Sequence, residues 1–465
     1  MKNRSRSLWL GLALSLFAHS GLAQERDELS AALTLGAAVR MAVEDFAEVH
    51  ASAAELSAAE ESLGVAKKAY VPDADIYLQW NRATRNNVFG LVIPGGNVPG
   101  ISGPVLEETS SQGAWGSAAS VLLHWNAFDF GVRAAGVREA EALRRRAEAG
   151  LRVTEIEVSL GAMDAFIEMV GAESAARAAA AATESMELFE RAVSVFVGNE
   201  LRPGADLSFA RAELARTRNE LVRAEQAREE ARTRLAEWLG RAEERIQVDG
   251  NDLLATGPAA PEGGLLPETE HPLVRAALAE RDAAHARRDA AAHYYRPRLD
   301  VLASVYARGT GALLDGGFEE GSAGLWPETS NWAVGLAVSF PLLDFAEASQ
   351  ETRIREYRER AAEARYENAR QHLTAELERA RIRLDAALRI AENTPTELEA
   401  ARALQIQARA RYEAGLADVL EVAEAERILR RAETEEALAR LNVWRARFEL
   451  GAAEGDLAPV LSLLD

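Results

Sequence analysis

The strongest constraint on this chain is a long stretch with nothing in it that breaks a helix. Between Pro104 and Pro203 there is no proline, and Val132 to Phe196 is rich in Ala, Glu, Arg and Leu, the strong helix formers. Apolar residues recur at Ile156, Leu160, Met163, Ile167 and Val170, in alternating steps of four and three. That rhythm predicts a coiled-coil seam, narrower than the apolar stripe of an ordinary surface helix. About 65 residues at ~1.5 Å each make a rod of roughly 100 Å. A compact domain cannot house such a rod, so it must pack along other rods of similar length.

The N-terminus predicts export. Lys2, Arg4 and Arg6 precede the apolar run Leu8 to Ala18, and the small residues Gly21-Leu22-Ala23 follow. This reads as a signal peptide over residues 1–23, cut after Ala23; a buried N-terminal helix is the other reading. Loss of three cations takes the formal charge from −20 to −23, which argues against nucleic acid and against an anionic bilayer surface as partners. No run after Ala23 reaches the roughly 18 apolar residues of a membrane helix, so any crossing must be made by strands. The chain has no cysteine, hence no disulfide and no lipid-modified N-terminal cysteine.

Taken in order, the chain states one unit twice. In the first copy, 24–250, a helix from Ala37 to Lys68 ends at Tyr70-Val71-Pro72. A strand over 73–80, a Gly/Pro-rich loop over 90–113 and a strand over 115–130 follow. A helical hairpin over 131–240 turns at Leu201-Arg202-Pro203-Gly204 and stops at Gly240. A linker covers 251–270. In the second copy, 271–451, a helix begins at His271-Pro272 and ends at Tyr295-Arg296-Pro297. Strands over 299–308 and 332–341 enclose a loop over 309–330, and a hairpin fills 346–451. Thr394-Pro395-Thr396-Glu397 has the form of a capping box, which predicts a kink or restart of the long helix. Residues 452–465 form a tail. A slide of 225 sets Pro297 on Pro72 and Tyr295 on Tyr70. Two copies give four strands, too few to close a barrel within one chain. An open edge is not tolerated in lipid, so the strands must close with those of other copies. Trp80, Trp115, Trp125, Trp326 and Trp332 fall in or beside the strands, as interfacial aromatic belts require; a soluble sheet with aromatics in its core is the alternative.

With these features in place, the sequence resembles the TolC-type outer membrane factors. The marks are the duplication, Pro72 and Pro297, the segments Phe128-Asp129-Phe130-Gly131 and Leu343-Asp344-Phe345, and two tips. The tips are Gly204-Ala205-Asp206-Leu207 and Tyr412-Glu413-Ala414-Gly415-Leu416-Ala417-Asp418-Val419-Leu420. The resemblance implies a mainly α fold with a membrane β-barrel part. Three chains would give a 12-stranded barrel in the outer membrane, continued by a 12-helix α-barrel across the periplasm. It implies a passive conduit for efflux or type I secretion, with no cofactor. Its partners would be a periplasmic adaptor, an inner membrane pump of RND or ABC type and outer membrane lipid, with the two loops outside the cell.

Competing classes are tested by their own signatures. No Cys nucleophile, G-x-S-x-G or phosphate loop is present, which argues against an enzyme. His271, His285 and His293 lie on one predicted helix without a spacing of three or four, so they are expected to be exposed rather than metal ligands. A periplasmic coiled-coil adaptor or scaffold is the remaining alternative. The resemblance implies an acidic constriction at Asp418 and Glu421, although carboxylates there also suit a helix first turn. It further implies gate contacts at Asp206 and Tyr412. The family's tip arginine has no counterpart within Gly415-Leu416-Ala417-Asp418, and Arg202, four residues before Asp206, is the nearest candidate for its role.

Overall fold

The computed structural model describes residues 32–84, 111–240, 246–255, 267–313, 317–341 and 345–464. The predicted signal peptide at 1–23, most of the predicted 90–113 loop, part of the predicted linker, Asp315 and Leu343-Asp344 lie outside these residues. In chain order, α1 is Leu35–Asp45, α2 Ala47–Lys68, β1 Asp73–Thr84, β2 Gly113–Phe128, α3 Val132–Gly198 and α4 Gly204–Trp238. Then come α5 Asn251–Ala255, α6 Pro272–His293, β3 Arg298–Thr310, β4 Thr329–Ser339, α7 Phe345–Glu413, α8 Val419–Glu454 and α9 Ala458–Leu461.

The chain divides into two compact units, and neither coincides with a sequence repeat. One combines Met1–Leu56, Ala147–Ala277 and Tyr366–Asp465; the other combines Ser57–Arg146 and Leu278–Arg365. Each draws on both copies, because the long helices α3 and α7 pass from one unit into the other.

The larger unit has an apolar core of Leu35 and Val39 from α1, Met163, Phe166 and Met169 from α3, Leu235 from α4, and Leu441 and Phe448 from α8. Burial on α3 between Val158 and Val170 runs nearly all round the helix, wider than the seam that the spacing predicts. The reason is that α1, α4 and α8 all contribute to this one core, as a helix apolar on every side requires. Gly161 belongs to this packing, since a Cβ there would stand 2.3 Å from the ring of Trp238. Trp238 in turn stacks on Phe46 with centroids 5.0 Å apart.

Phe46 also corrects the first predicted helix. It is extended (φ −72, ψ 128) and splits Ala37–Lys68 into α1 and α2. The opposite correction holds at Pro395, where α7 runs through without a restart. Proline has no N–H for the carbonyl four residues back. Here the Thr394 hydroxyl donates to that carbonyl, Ala391 O, at 3.4 Å instead of capping a new helix. The last long helix ends at Glu454 rather than Leu450-Gly451, with Gly455 left-handed at φ 83. The predicted tail folds back: Leu457 and Val460 join the core. Leu253, within the predicted linker, does the same.

The other unit holds an antiparallel sheet in the order β1-β2-β3-β4; β1 and β3 run past their predicted C-terminal ends, whereas β2 and β4 begin earlier than predicted and stop two residues short. Its helical parts are laced by ion pairs, Arg138–Asp289 at 3.2 Å, Arg145–Asp282 at 3.2 Å and Arg287–Glu139 at 2.7 Å, and by a hydrogen bond between His285 Nδ1 and the Glu359 carboxylate at 2.7 Å.

His271 is buried rather than exposed as expected. Its Nδ1 accepts from Leu273 N at 3.2 Å, capping α6, and its Nε2 donates to Ala452 O at 3.2 Å. Only the neutral ring can do both, and burial holds its pKa below the usual histidine value, against the Ala452 hydrogen bond. A folded pKa below the unfolded one gives stability that is complete above pH ~6.5 and declines as pH falls toward the folded value. The thermal stability of the parent should therefore fall over that interval, and His271→Asn, which keeps a capping oxygen, should lose that part of the pH dependence.

Candidate functional site

Two places carry functional geometry, one in each unit. In the sheet, directly opposed residues share a face. Ile76 lies opposite Val121, Val121 opposite Val305, and Val305 opposite Trp332. On this face also lie Leu78, Trp80, Leu123, Trp125, Val301, Val334, Leu336 and Val338, by the period of two in each strand. Much of it is bare: Ile76 is 73% exposed, Leu336 74% and Trp332 77%. The other face carries Asp73, Asp75, Gln79, Ser120, His124, Asn126, Asp300, Ser304 and Arg308. Asn126 donates to Asp300 at 3.0 Å across the strands. Among the described residues, β1 and β4 each pair on one side only. An apolar exposed face, a polar opposite face and two open edges together contradict a water-soluble sheet, which would bury its apolar side.

The corner from β2 into α3 is the Phe128-Asp129-Phe130-Gly131 motif. Phe130 and Gly131 take positive φ of 54 and 102, which turns the chain sharply. Asp129 holds the turn. Its carboxylate accepts from Gly131 N at 3.1 Å, from Arg133 N at 2.9 Å and from Arg133 Nε at 2.8 Å. Burial alone would raise the Asp129 pKa, but these bonds hold it below the usual carboxylate value.

The second place is where the two hairpin tips meet. α3 and α7 end in the same turn, with Leu201 N donating to Phe196 O at 2.9 Å and Leu416 N to Arg411 O at 2.8 Å. Gly415 supplies the left-handed residue in one, at φ 77, and Glu200 in the other, at φ 63. Tyr412 is 1% exposed and sits in an apolar cluster with Met186, Phe189, Val193, Leu214, Val419 and Val422. Its ring meets Phe189 edge-on, with centroids 5.1 Å apart.

Arg202, from the first tip, stacks its guanidinium 4.5 Å from the centroid of the Tyr412 ring. It also donates to Tyr412 O at 2.7 Å and Ala417 O at 3.3 Å. Its partners are thus carbonyls at the end of the second hairpin's rod, not Asp206, with which it forms no ion pair among the described residues. The Tyr412 hydroxyl is buried and unpartnered. Burial first and the Asp206 charge second push its pKa up, against the pull of Arg202. Asp418 caps α8, accepting from Glu421 N at 2.9 Å. Glu421 pairs with Arg411 at 3.1 Å, and both side chains are partly exposed.

Further along the hairpins lies a polar cluster that pattern reading missed. Glu426 is nearly buried and accepts from Ser185 Oγ at 2.9 Å and Gln405 Nε2 at 2.8 Å. Arg409 donates to Ser185 Oγ at 3.1 Å. The signal was a glutamate inside an alanine-rich seam, which spacing alone reads as a solvated face. Among the described residues, no group of His, Asp and Glu is arranged to hold a metal, and no helix is long and apolar enough to cross a membrane.

The tip geometry makes a separable prediction. Arg202→Ala removes two charged hydrogen bonds and should speed amide exchange at Gly415 and Leu416 by about tenfold or more. Tyr412→Phe removes only an unpartnered hydroxyl and should leave that exchange unchanged.

The profile of the outer membrane efflux protein family matches residues 38–241 and 268–456, one segment for each repeat. No curated protein sequence matches the chain. Solved structures share the fold. The CmeC outer membrane channel of Campylobacter jejuni aligns with a TM-score of 0.74 at 15% identity, over 90% of this chain and 85% of that one. VceC of Vibrio cholerae aligns with a TM-score of 0.74 at 18% identity, over 91% and 96%. The open state of the MtrE channel of Neisseria gonorrhoeae aligns with a TM-score of 0.68 at 17% identity, over 91% and 89%. The duplicated unit, the two-faced sheet and the double match of the family profile lead to one conclusion: the chain belongs to the outer membrane efflux protein family, as an outer membrane channel component that extends into the periplasm.

Proposed function

We propose that three copies of the chain close their strands into one 12-stranded barrel and their hairpins into a 12-helix tunnel. The observation that carries this is the four-stranded sheet, apolar and bare on one face, polar on the other, and open at both edges. Backbone groups at an edge have no partner in lipid, so each β1 must find the β4 of another copy. The apolar face then meets lipid and the polar face lines the lumen. The assembly is a passive conduit rather than an enzyme. It receives cargo from an inner membrane pump of RND or ABC type through a periplasmic adaptor.

The tip serves as its gate. Arg202 braces the turn of the second hairpin and covers Tyr412, so this cation fills the role for which the family's tip has another arginine. Asp206 lies beside Tyr412 and biases the same contact. An exposed ion pair is worth only about 1 kcal/mol or less, whereas the Arg202 bonds to backbone carbonyls add more. Three such contacts around a ring would bias a two-state tip by a few kcal/mol. Asp418 and Glu421, three copies of each, form the acidic constriction; Arg411 beside Glu421 moderates its charge.

Single-channel recording in lipid bilayers tests both parts. Arg202→Ala should raise conductance with the trimer intact, and conductance at the parent level would move the gate elsewhere. Asp418→Ala with Glu421→Ala should lower cation selectivity and relieve block by multivalent cations. Unchanged selectivity and block would remove the constriction from these residues.

A further inference from the structure

The chain carries 53 lysines and arginines, of which only Lys2, Lys67 and Lys68 are lysine. The last two stand side by side in the final turn of α2, one turn before the sheet begins. Both are exposed. Arginines elsewhere are mostly committed: Arg138, Arg145, Arg287 and Arg383 all sit on carboxylates. Lys67 and Lys68 make no ion pair among the described residues.

The corner they occupy is tied to the apolar face of the sheet. Trp125, which shares that face with Val121 and Leu123, donates from Nε1 to Tyr70 O at 3.1 Å. Tyr70 and Val71 are themselves exposed, at 45% and 61%. The nearest acidic side chains do not answer the lysines. Asp73 and Asp75 belong to the opposite face of β1, and Asp129 is held by Arg133. Glu60 and Glu61 lie about two turns back along α2, roughly 10 Å away. The equivalent corner of the second repeat, Tyr295-Arg296-Pro297, again sets a tyrosine beside an exposed arginine that makes no ion pair among the described residues.

From this juxtaposition we infer that Lys67 and Lys68, with Tyr70 and with Arg296 at the second corner, form a belt that binds the phosphates of anionic glycerophospholipids at the periplasmic rim of the barrel. The inference rests on the outer membrane channel reading. Tyrosine suits the boundary, with an apolar ring and a polar end, and lysine extends a long stem along apolar surface to place its charge at headgroup level. The chain as a whole is strongly acidic, which opposes long-range attraction to anionic lipid. Once the sheet is inserted, only charges within a Debye length of about 8 Å count at the rim, and Lys67, Lys68 and Arg296 stand there without an ion pair among the described residues. Lysines in a last helical turn also suit the helix dipole, a role that is indifferent to lipid type.

Lipid selectivity separates these roles. The full-length parent, Lys67→Gln/Lys68→Gln, Lys67→Arg/Lys68→Arg and a control, Arg389→Gln on the exposed surface of α7, are placed in nanodiscs of phosphatidylcholine with a minor share of phosphatidylglycerol. Native mass spectrometry then counts each lipid retained on the protein. The parent should retain phosphatidylglycerol over phosphatidylcholine by roughly fivefold for each lysine. The double glutamine variant should fall toward parity, while the double arginine variant and Arg389→Gln keep the preference. A glutamine variant that matches the parent, or an Arg389→Gln variant that loses as much, overturns the belt. A parent that inserts equally well with no lipid preference overturns the belt alone. A parent that enters no bilayer overturns the channel reading, and the belt with it.

Discussion

Unpaired backbone at the two edges of the sheet is the constraint on which the rest of the molecule depends. β1 has 12 residues and β4 has 11, and each pairs on one side only. In water such edges could be solvated, but the bare apolar face rules out water as the surrounding medium on that side. In lipid each unsatisfied backbone group costs several kcal/mol, so edges of this length have to be paired. The strands also lead almost directly into helices, with three residues between Phe128 and Val132. Whatever closes the strands therefore brings the helices with it. The firm corner at Asp129 matters for that reason: it transmits the placement of a strand to the start of a 67-residue helix.

Most of the architecture was legible in the sequence because its signals are repeated and long. The rods, the strand positions, the first corner motif and the order of elements all follow from helix-former runs, period-two segments and two copies of one plan. The misses have local physical causes. Phe46 carries no turn signal within the run read as one helix, and in the structure it is extended where the helix breaks, with its ring stacked on Trp238. Pro395 looks like a helix start, and the Thr394 hydroxyl at Ala391 O shows how the helix runs through it. His271 has no metal-ligand spacing, and nothing in its neighbours reveals that it caps α6 and holds the end of α8.

The candidate site was less legible than the fold, since its contacts join residues about 210 positions apart. The sequence points to both Tyr412 and Arg202, but the atoms that meet are the guanidinium, the aromatic face and two carbonyls. The phenol hydroxyl and the Asp206 carboxylate do not meet. Side-chain identity indicates which charges are present, whereas carbonyl acceptors exist at every residue and leave no mark in the sequence. Glu426 was hidden for a related reason. A glutamate in a helix seam is usually solvated, and only the approach of Ser185 and Gln405 makes it a buried acceptor.

The two repeats are alike where each must build the same element and unlike where they meet each other. Both rods end in one turn geometry, yet the left-handed position is Gly415 in one and Glu200 in the other. A non-glycine residue there costs about 1 kcal/mol, so the first tip is held in its shape partly by what surrounds it. That surrounding includes Phe196, whose ring lies 6.4 Å from that of Tyr412. Arg202 then adds its charge to the carbonyl end of the second rod. A pair of identical tips could not make this contact, because one must present the cation and the other the ring and the carbonyls. Duplication supplies the scaffold, and divergence at a few tip residues supplies an interface with two unlike sides. Under the gate proposed for this tip, an interface that rests on contacts worth a few kcal/mol outside the main apolar core would part without unfolding the rods that carry it.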